Sequence, residues 1–502
     1  MKTGADGASP GPGLAKNLDQ NLANSLAWRA ATNWTSQLVS WASLFVVVRL
    51  LTPADFGIVT MALVVFPYLR IVGEFGIPQT IVNLRDLTED QLAQLNTVSA
   101  LLSIACFGLS VVLAWPVALF FKTPQLVPVV LVTCIGLIPL GLRSVSEGLL
   151  SKEMRFRTLS LFEAFRGLIA AVVTLVLAFI GFGYWALVLG NLIATIARTI
   201  MLGIARPQRF ARPRMSALKE PLALGRHILV SQAAVAAYER LDNVTAGRVL
   251  GQAALGLYGV AWNLAYVPLE KVTSLVTTVI PTYLAAVQKE PESLRRYVRT
   301  LTEALAVATF PATIGLGLVA RELVPVALGP KWVGVIAPLQ VLSVYAAFRS
   351  IVAIIPKVLT AVGHAHFVMW NDLRALVMLP IAFYIGSHWG TVGIAWGWVA
   401  AYPLVAIPLY WKTFSSIQMP IATYLQALRP ALDGTLTMIL AVLSLRWTLP
   451  GSWHVTVRLI VEVAVGGGVY LSTLMLLHRE RILAFVRMAK SIRRAEPSVS
   501  QA

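Results

Sequence analysis

The sequence predicts an all-α polytopic membrane protein with about 14 transmembrane helices. Of its 502 residues, 57% are hydrophobic and only 13% are charged, and the mean hydropathy is +0.74. Soluble domains carry about 25% charged residues, so this composition excludes a soluble enzyme. The apolar residues form long runs separated by short polar loops. A transmembrane helix needs about 20 predominantly apolar residues. No polar stretch reaches the ~50 residues that an independent domain requires.

Charged residues, prolines and glycines divide the apolar sequence into fourteen candidate spans. We place them near 25–50, 57–82, 93–120, 126–150, 158–180, 182–205, 224–248, 254–286, 300–320, 334–360, 366–387, 390–411, 421–446 and 454–478. The eighth run is too long for one straight span, so we expect it to project past the bilayer.

The basic residues predict the orientation of these spans. Twenty lysines and arginines lie in one set of alternate loops and the C-terminal tail, whereas five lie in the other set. Cytoplasmic loops are enriched in lysine and arginine, so both termini are predicted to be cytoplasmic. The same distribution explains the net charge of +18 without nucleic acid as a partner.

A faint internal repeat relates the two halves of the chain. Residues 51–62 (LTPADFGIVTMA) match residues 250–261 (LGQAALGLYGVA), with Gly57 equivalent to Gly256. Arg143-Ser144 similarly matches Arg349-Ser350. A repeat of six spans predicts two similar lobes related by an axis along the membrane normal. The predicted parts are a disordered cytoplasmic tail 1–24, an N-lobe 25–205, a basic linker 206–223, a C-lobe 224–411, two further helices within 412–478 and a basic tail 479–502.

Charged residues inside the apolar runs indicate a functional site. A charge in the bilayer costs a few kcal/mol unless it is paired or faces water. Pairs such as Arg70 and Glu74 share one helix face. Each pair alone is therefore explained as well by local neutralisation of charge as by a functional cavity. Because so many charges lie on separate spans, together they favour a hydrated cavity. The predicted substrate-binding arginines, which should converge between the lobes, are Arg29, Arg70, Arg143, Arg240 and Arg349.

Aromatic and acidic residues complete the predicted site. We assign most tryptophans to interfacial belts and reserve Trp34 and Trp41 for the cavity. Glu74, Glu147 and Asp242 are candidates to carry a coupling ion, because a carboxylate in a partly dry cavity can take up a proton near neutral pH.

The sequence offers little for catalysis or cofactor binding. It contains no GxxxxGK[ST] loop to hold ATP phosphates, and no long loop with paired acids. His364 and His366 lie in a loop without a nearby carboxylate or cysteine, so we interpret them as solvated. We therefore predict no catalytic residue, no metal and no cofactor.

Four segments resemble the Wzx-type polysaccharide-export flippases, a branch of the multidrug/oligosaccharidyl-lipid/polysaccharide superfamily that includes the colanic acid exporter. They are LTPADFGIVTMALVV (51–65), GEFGIPQTIV (73–82), LDNVTAGRVLGQAALGLYGVAWNLAYVPLEKVTSLVTTVIPTYLAAVQ (241–288) and LGPKWVGVIAPLQVLSVYAAFRS (328–350). The resemblance extends over residues 25–480. It implies a two-lobed fold, like that of the multidrug (MATE) transporters, with 12 core helices plus two more.

The resemblance also implies transfer of an undecaprenyl-diphosphate-linked oligosaccharide from the cytoplasmic to the periplasmic leaflet of the bacterial inner membrane. The expected partners are this lipid-linked substrate, the bilayer, and the polymerase and glycosyltransferases of the same pathway. A flippase for lipid-linked peptidoglycan precursor and a cation-coupled drug antiporter are alternatives within the superfamily. A membrane glycosyltransferase or polymerase is an alternative of another class.

Overall fold

The computed structural model describes residues 43, 45–84, 86–287, 291–448, 450 and 453–481, and every regular element within them is helical. A helical end at 45–50 precedes the first complete helix. The helices that follow are α1 (Pro53–Glu74), α2 (Ile77–Asn83), α3 (Glu89–Phe120), α4 (Leu126–Ile135), α5 (Leu137–Lys152), α6 (Phe156–Phe179), α7 (Tyr184–Ala205), α8 (Met215–Glu239), α9 (Leu241–Thr245), α10 (Gln252–Val287), α11 (Pro291–Leu318), α12 (Ala320–Ala327), α13 (Ile336–Val352), α14 (Ile355–Ala361), α15 (Ala365–Ser387), α16 (Gly390–Ile417), α17 (Ile421–Thr448) and α18 (Val455–Leu477).

Eleven helical segments of the described chain are long and apolar enough to cross a membrane. The predicted span 25–50 lies largely outside the described residues. The predicted spans 224–248 and 254–286 correspond to α8–α9 and to α10, which are helical but are not among the eleven. The protein is thus a multi-pass helical membrane protein, and the total of fourteen spans stays a prediction.

Two predicted spans are broken where the sequence places glycine. The prediction of one helix over 57–82 is wrong, because Phe75 and Gly76 both adopt left-handed backbone angles (φ 45° and 64°) and end α1 before α2 begins. A Cβ on Gly76 would lie 2.9 Å from the Cβ of Ile228 in α8, so glycine also permits close packing there. Gly136 likewise separates α4 from α5.

The core of the molecule lies where α1 meets α10. The largest buried apolar cluster joins Met61 and Ala62 of α1 to Leu255 and Ala261 of α10, together with Trp332. Large apolar side chains on the outer faces are exposed, as on α3, where Val112, Trp115 and Leu119 are 62–69% exposed. Contiguous exposed apolar surface of this kind fits contact with lipid.

Candidate functional site

Two adjoining cavities lie among the helices between α1 and α8, with volumes of about 730 Å³ and 410 Å³. Both are lined by Arg70, Arg143 and Arg198, so they form one continuous polar region. The larger volume falls within the range of ~300–1,000 Å³ that is typical of ligand sites. The charged residues lining the two cavities are Arg70, Glu74, Arg143, Glu147, Glu163, Arg166, Arg198 and Arg240.

The α6–α7 hairpin brings part of this cluster together. A Cβ on Gly190 of α7 would lie 2.0 Å from Oγ1 of Thr174 in α6, so the two helices pack backbone to side chain. Further along the hairpin this close packing places Arg198 of α7 beside Glu163 and Arg166 of α6. Arg198 Nη1 lies 3.2 Å from Glu163 Oε2.

The charged side chains form a continuous chain of ion pairs across α5, α6 and α7. Arg143 Nε lies 3.3 Å from Glu147 Oε2, and Arg198 Nη2 donates to Glu147 Oε1 at 2.8 Å. Arg166 donates from Nη2 and Nε to Glu163 Oε1 at 2.6 and 2.8 Å. Glu147 and Glu163 each therefore hold two arginines, and they fix the guanidinium groups at the cavity wall.

Two donor atoms of these ion-paired arginines have no hydrogen-bond acceptor. Among the described residues, Arg143 Nη1 and Arg198 Nε are buried and have no hydrogen-bond partner. Arg143 and Arg198 are only 8% and 9% exposed, and both line the cavities. A buried donor without an acceptor costs about 1–3 kcal/mol, and more when it is charged. An anion in the cavity would lie beside both guanidinium groups.

The structure brings three of the five predicted arginines together, since Arg70, Arg143 and Arg240 all line the larger cavity. Arg349 is not among the residues that line either cavity. Instead it donates to Tyr345 Oη at 2.9 Å and lies 5.7 Å from the centre of the Tyr402 ring. The other predicted substrate-binding residues, Arg29, Trp34 and Trp41, lie outside the described residues.

The predicted ion-coupling residues occupy two different environments. Glu74 and Glu147 line the smaller cavity. Asp242 is fully buried in α9. It accepts hydrogen bonds from Tyr258 Oη (2.9 Å) and Trp398 Nε1 (3.2 Å), and no arginine of the described residues forms an ion pair with it.

Neither Arg166 nor Arg198 was selected for the site from the sequence alone. The signal for Arg198 was present, because it is the single charged residue within the apolar sequence of α7. Arg198 has no acidic partner at a spacing of three or four residues, because its two partners, Glu147 and Glu163, lie on other helices.

Comparisons with known proteins agree with this architecture. The sequence profile of the family described as "Polysaccharide biosynthesis protein" matches residues 46–337. The chain is 23% identical over 392 residues to the lipopolysaccharide biosynthesis protein WzxC of Escherichia coli, covering 76% of this chain and 79% of that protein. It is 24% identical over 501 residues to the succinoglycan biosynthesis transport protein ExoT of Rhizobium meliloti, covering 96% and 98%.

Solved structures with the same fold include two kinds of transporter. A lipid II flippase, MurJ, in an inward closed conformation superposes with a TM-score of 0.72 at 15% identity and covers 91% of this chain and 100% of its own. An inward-facing multidrug transporter of the MATE family gives a TM-score of 0.62 at 16% identity and covers 76% and 94%. These likenesses establish the fold and confirm the predicted helical architecture. The family match and the curated relatives confirm the resemblance to polysaccharide-export proteins.

Proposed function

Because the chain belongs to the polysaccharide biosynthesis protein family, we propose that it flips an undecaprenyl-diphosphate-linked oligosaccharide across the bacterial inner membrane, from the cytoplasmic to the periplasmic leaflet. The observation that carries this proposal is the pair of buried arginines, Arg143 and Arg198, which line the cavities and each keep one buried nitrogen atom without a hydrogen-bond partner. The curated relatives are named for the biosynthesis or transport of surface polysaccharides.

The charge of the site supports a diphosphate headgroup. The two cavities are lined by five arginines and three glutamates, which leaves an excess of two positive charges. A diphosphate diester carries one negative charge on each phosphate, so it would neutralise this excess. Arginine is suited to the task, because its planar fork can donate to two phosphate oxygens at once.

Transport also follows from the cost of crossing the bilayer. A diphosphate and several sugars cannot pass through hydrocarbon unaided, because each desolvated charge and unpaired hydroxyl is costly. In the proposed mechanism the polar cavity holds the headgroup while the polyprenyl chain stays in lipid. The two lobes then expose the cavity to opposite sides of the membrane in turn. The site acts by binding, and we assign it no catalytic residue.

The alternatives differ in the substrate that the cavity would accept. A peptidoglycan precursor carries the same diphosphate, so it shares the arginine site, and only its saccharide would distinguish it. A cationic drug is disfavoured by the excess positive charge. A polymerase or glycosyltransferase would act on the same lipid-linked intermediates and is proposed here as a partner in the pathway.

Arginine substitution tests the proposal in cells. We expect Arg143→Ala and Arg198→Ala to reduce polysaccharide export in a flippase-deficient strain at least about tenfold, because each charge-assisted bond contributes roughly 1.5–3 kcal/mol. Lysine should restore export only in part, since it cannot donate as a fork.

The matched control is Arg321→Ala, which removes an exposed arginine outside both cavities. Export is compared at equal membrane abundance for every variant. Full export by the Arg143→Ala/Arg198→Ala double variant at normal abundance would contradict the cationic-cavity mechanism.

A further inference from the structure

Helices from the two halves of the chain cross in direct backbone contact at Gly57 of α1 and Gly256 of α10. A Cβ on Gly57 would lie 1.7 Å from the carbonyl oxygen of Gln252. A Cβ on Gly256 would lie 1.8 Å from the carbonyl oxygen of Pro53. Real Cβ atoms essentially never approach another heavy atom within 3.0 Å. A side chain at either glycine would therefore require α1 and α10 to move apart.

The crossing is symmetric under the internal repeat. The offset of 199 residues that relates Gly57 to Gly256 also relates Pro53 to Gln252. Each glycine thus packs against the first residue of the opposite helix, and the two contacts are equivalent. A contact made twice by equivalent atoms lies on the pseudo-two-fold axis, so the crossing is where the two halves of the repeat meet.

Beside the crossing, polar side chains join the same two halves, and we call Arg49, Lys331 and Trp332 the clasp. Trp332 Nε1 donates to the carbonyl oxygen of Val48 at 2.8 Å, and Lys331 Nζ donates to that of Leu51 at 3.1 Å. The carbonyls at the C-terminal end of a helix lack intrahelical donors. The clasp therefore caps the helix that ends at residue 50.

The clasp is reciprocal. Arg49 donates from Nε to the carbonyl oxygen of Ala327 at 3.2 Å and from Nη2 to that of Val326, at the end of α12. Each half of the chain therefore caps a helix of the other half. Water can replace the bonds of Arg49 and Lys331, which lie at exposed or partly buried helix ends, whereas the bond of Trp332 is buried.

The crossing and the clasp lie at one end of α1. The larger cavity extends along α1 from Val59 to Ile71, with its arginine toward the other end. Arg70 follows Gly57 by thirteen residues in α1, which corresponds to about 20 Å along a helix. The distribution of basic residues predicts that the crossing faces the periplasm. In this structure the lobes are therefore in contact beyond the cavity, on the side toward which the substrate would travel.

We propose that the Gly57–Gly256 crossing and the clasp together form the exit gate of the transport cycle. Closure requires glycine at both positions, because only bare backbones fit. The clasp holds the closed state, and water can replace its bonds from Arg49 and Lys331 when it opens. Opening separates α1 from α10 and connects the cavity to the far side of the membrane. This inference rests on the proposed transport function, and its test measures conformation without any substrate.

Spin labels on the two lobes test the gate directly. The labels are placed at Ala54→Cys and Val333→Cys, in a chain whose buried cysteines Cys106 and Cys134 are replaced by alanine. The distance between them is measured by pulsed electron resonance in nanodiscs. We expect a short distance when glycine is present and a shift to longer distances in Gly57→Val and in Gly256→Val.

The matched control is Gly467→Val, because no atom outside its own helix lies within 4 Å of the Cβ that it would add among the described residues. Gly467→Val should keep the short distance. An unchanged distance in both Gly57→Val and Gly256→Val would overturn the gate.

A second pair of variants decides the matter if the valine variants do not reach the membrane. Arg49→Gln and Lys331→Gln leave the crossing intact and weaken only the clasp, so we expect a new population at long distance beside the short one. A single short distance in both would also overturn the proposal. The distance measurement uses no lipid-linked substrate. An unchanged distance would therefore contradict the gate but not the cationic cavity, and full export without the cavity arginines would contradict the cavity mechanism but not the gate.

Discussion

At the scale of single residues, the site is organised by carboxylates that each hold two arginines. Glu147 joins Arg143 to Arg198, and Glu163 joins Arg198 to Arg166. Side chains with several rotatable bonds lose entropy when a ligand orders them. Because the glutamates already fix these guanidinium groups, little of that cost is left for the binding of an anion.

The acidic residues carry a prediction about energy coupling. We propose that Glu74, Glu147 and Asp242 take up and release the coupling ion during transport. Replacing all three (Glu74→Gln, Glu147→Gln and Asp242→Asn) should then abolish the response of transport to a pH gradient in reconstituted vesicles. Glu163→Gln is the matched control, since it belongs to the same cluster and should retain the response. An equal response in the triple variant and the control would exclude proton coupling through these groups.

The sequence predicted part of this site, and the reason is physical. Charges within apolar runs are costly, so Arg70, Arg143 and Arg240 could be selected from the sequence alone. The ion pairs that link different helices depend on tertiary packing, which leaves no fixed spacing in the sequence. The ion pairs of Arg198 were missed for this reason, and the position of Arg349 against Tyr402 of α16 depends on tertiary packing in the same way.

At the scale of the helix, buried ion pairs attach the last two helices to the rest of the molecule. Arg446 of α17 donates to both oxygens of Glu462 in α18, at 2.9 and 2.8 Å. It also donates to Glu322 of α12 at 2.8 Å and to the carbonyl oxygen of Leu318 in α11 at 2.6 Å. Glu462 is fully buried. One arginine therefore connects four helices.

Removal of Arg446 should loosen this connection. We expect Arg446→Met to lower the free energy of unfolding by about 3–5 kcal/mol, because a buried carboxylate loses its partner. The triple variant Arg446→Met/Glu462→Met/Glu322→Met should recover most of the loss, because both carboxylates that Arg446 neutralises are then gone. Thermal unfolding in detergent measures both.

An arginine on the same helix provides the control. Arg429 lies 3.5 Å from Asp433, but its side chain is 73% exposed, so Arg429→Met should cost less than about 1 kcal/mol. Equal losses for Arg429→Met and Arg446→Met would contradict the importance of the buried pair.

Hydropathy predicted where helices occur better than where they break. The runs of apolar residues at 158–180 and 182–205 correspond closely to α6 and α7. The break at Phe75 and Gly76 was missed, because apolar residues such as Ile71, Val72 and Ile77 continue on both sides of it. The cause of the break is the local backbone geometry at a site of close packing. Mean hydropathy contains no information about this geometry.

At the scale of the whole molecule, the distribution of basic residues predicts the orientation in the membrane. Reporter fusions at residues 122, 250 and 330 should be periplasmic, and fusions at 155, 212 and 292 should be cytoplasmic, because positive loops are retained in the cytoplasm. The two sets control for each other, since all six fusions are made in one chain. Reversed locations at any two positions would contradict the assignment, and with it the direction of the proposed gate.

The transfer of a labelled lipid between leaflets tests the central claim most directly. Purified protein is reconstituted into vesicles with a fluorescent oligosaccharide linked to polyprenyl diphosphate, and with the same oligosaccharide linked to polyprenyl monophosphate. The account predicts protein-dependent transfer of the diphosphate form. It also predicts at least about a tenfold loss of this transfer in Arg143→Ala/Arg198→Ala, and none in Arg321→Ala. Equal transfer of the two lipids, or full transfer without both buried arginines, would contradict it.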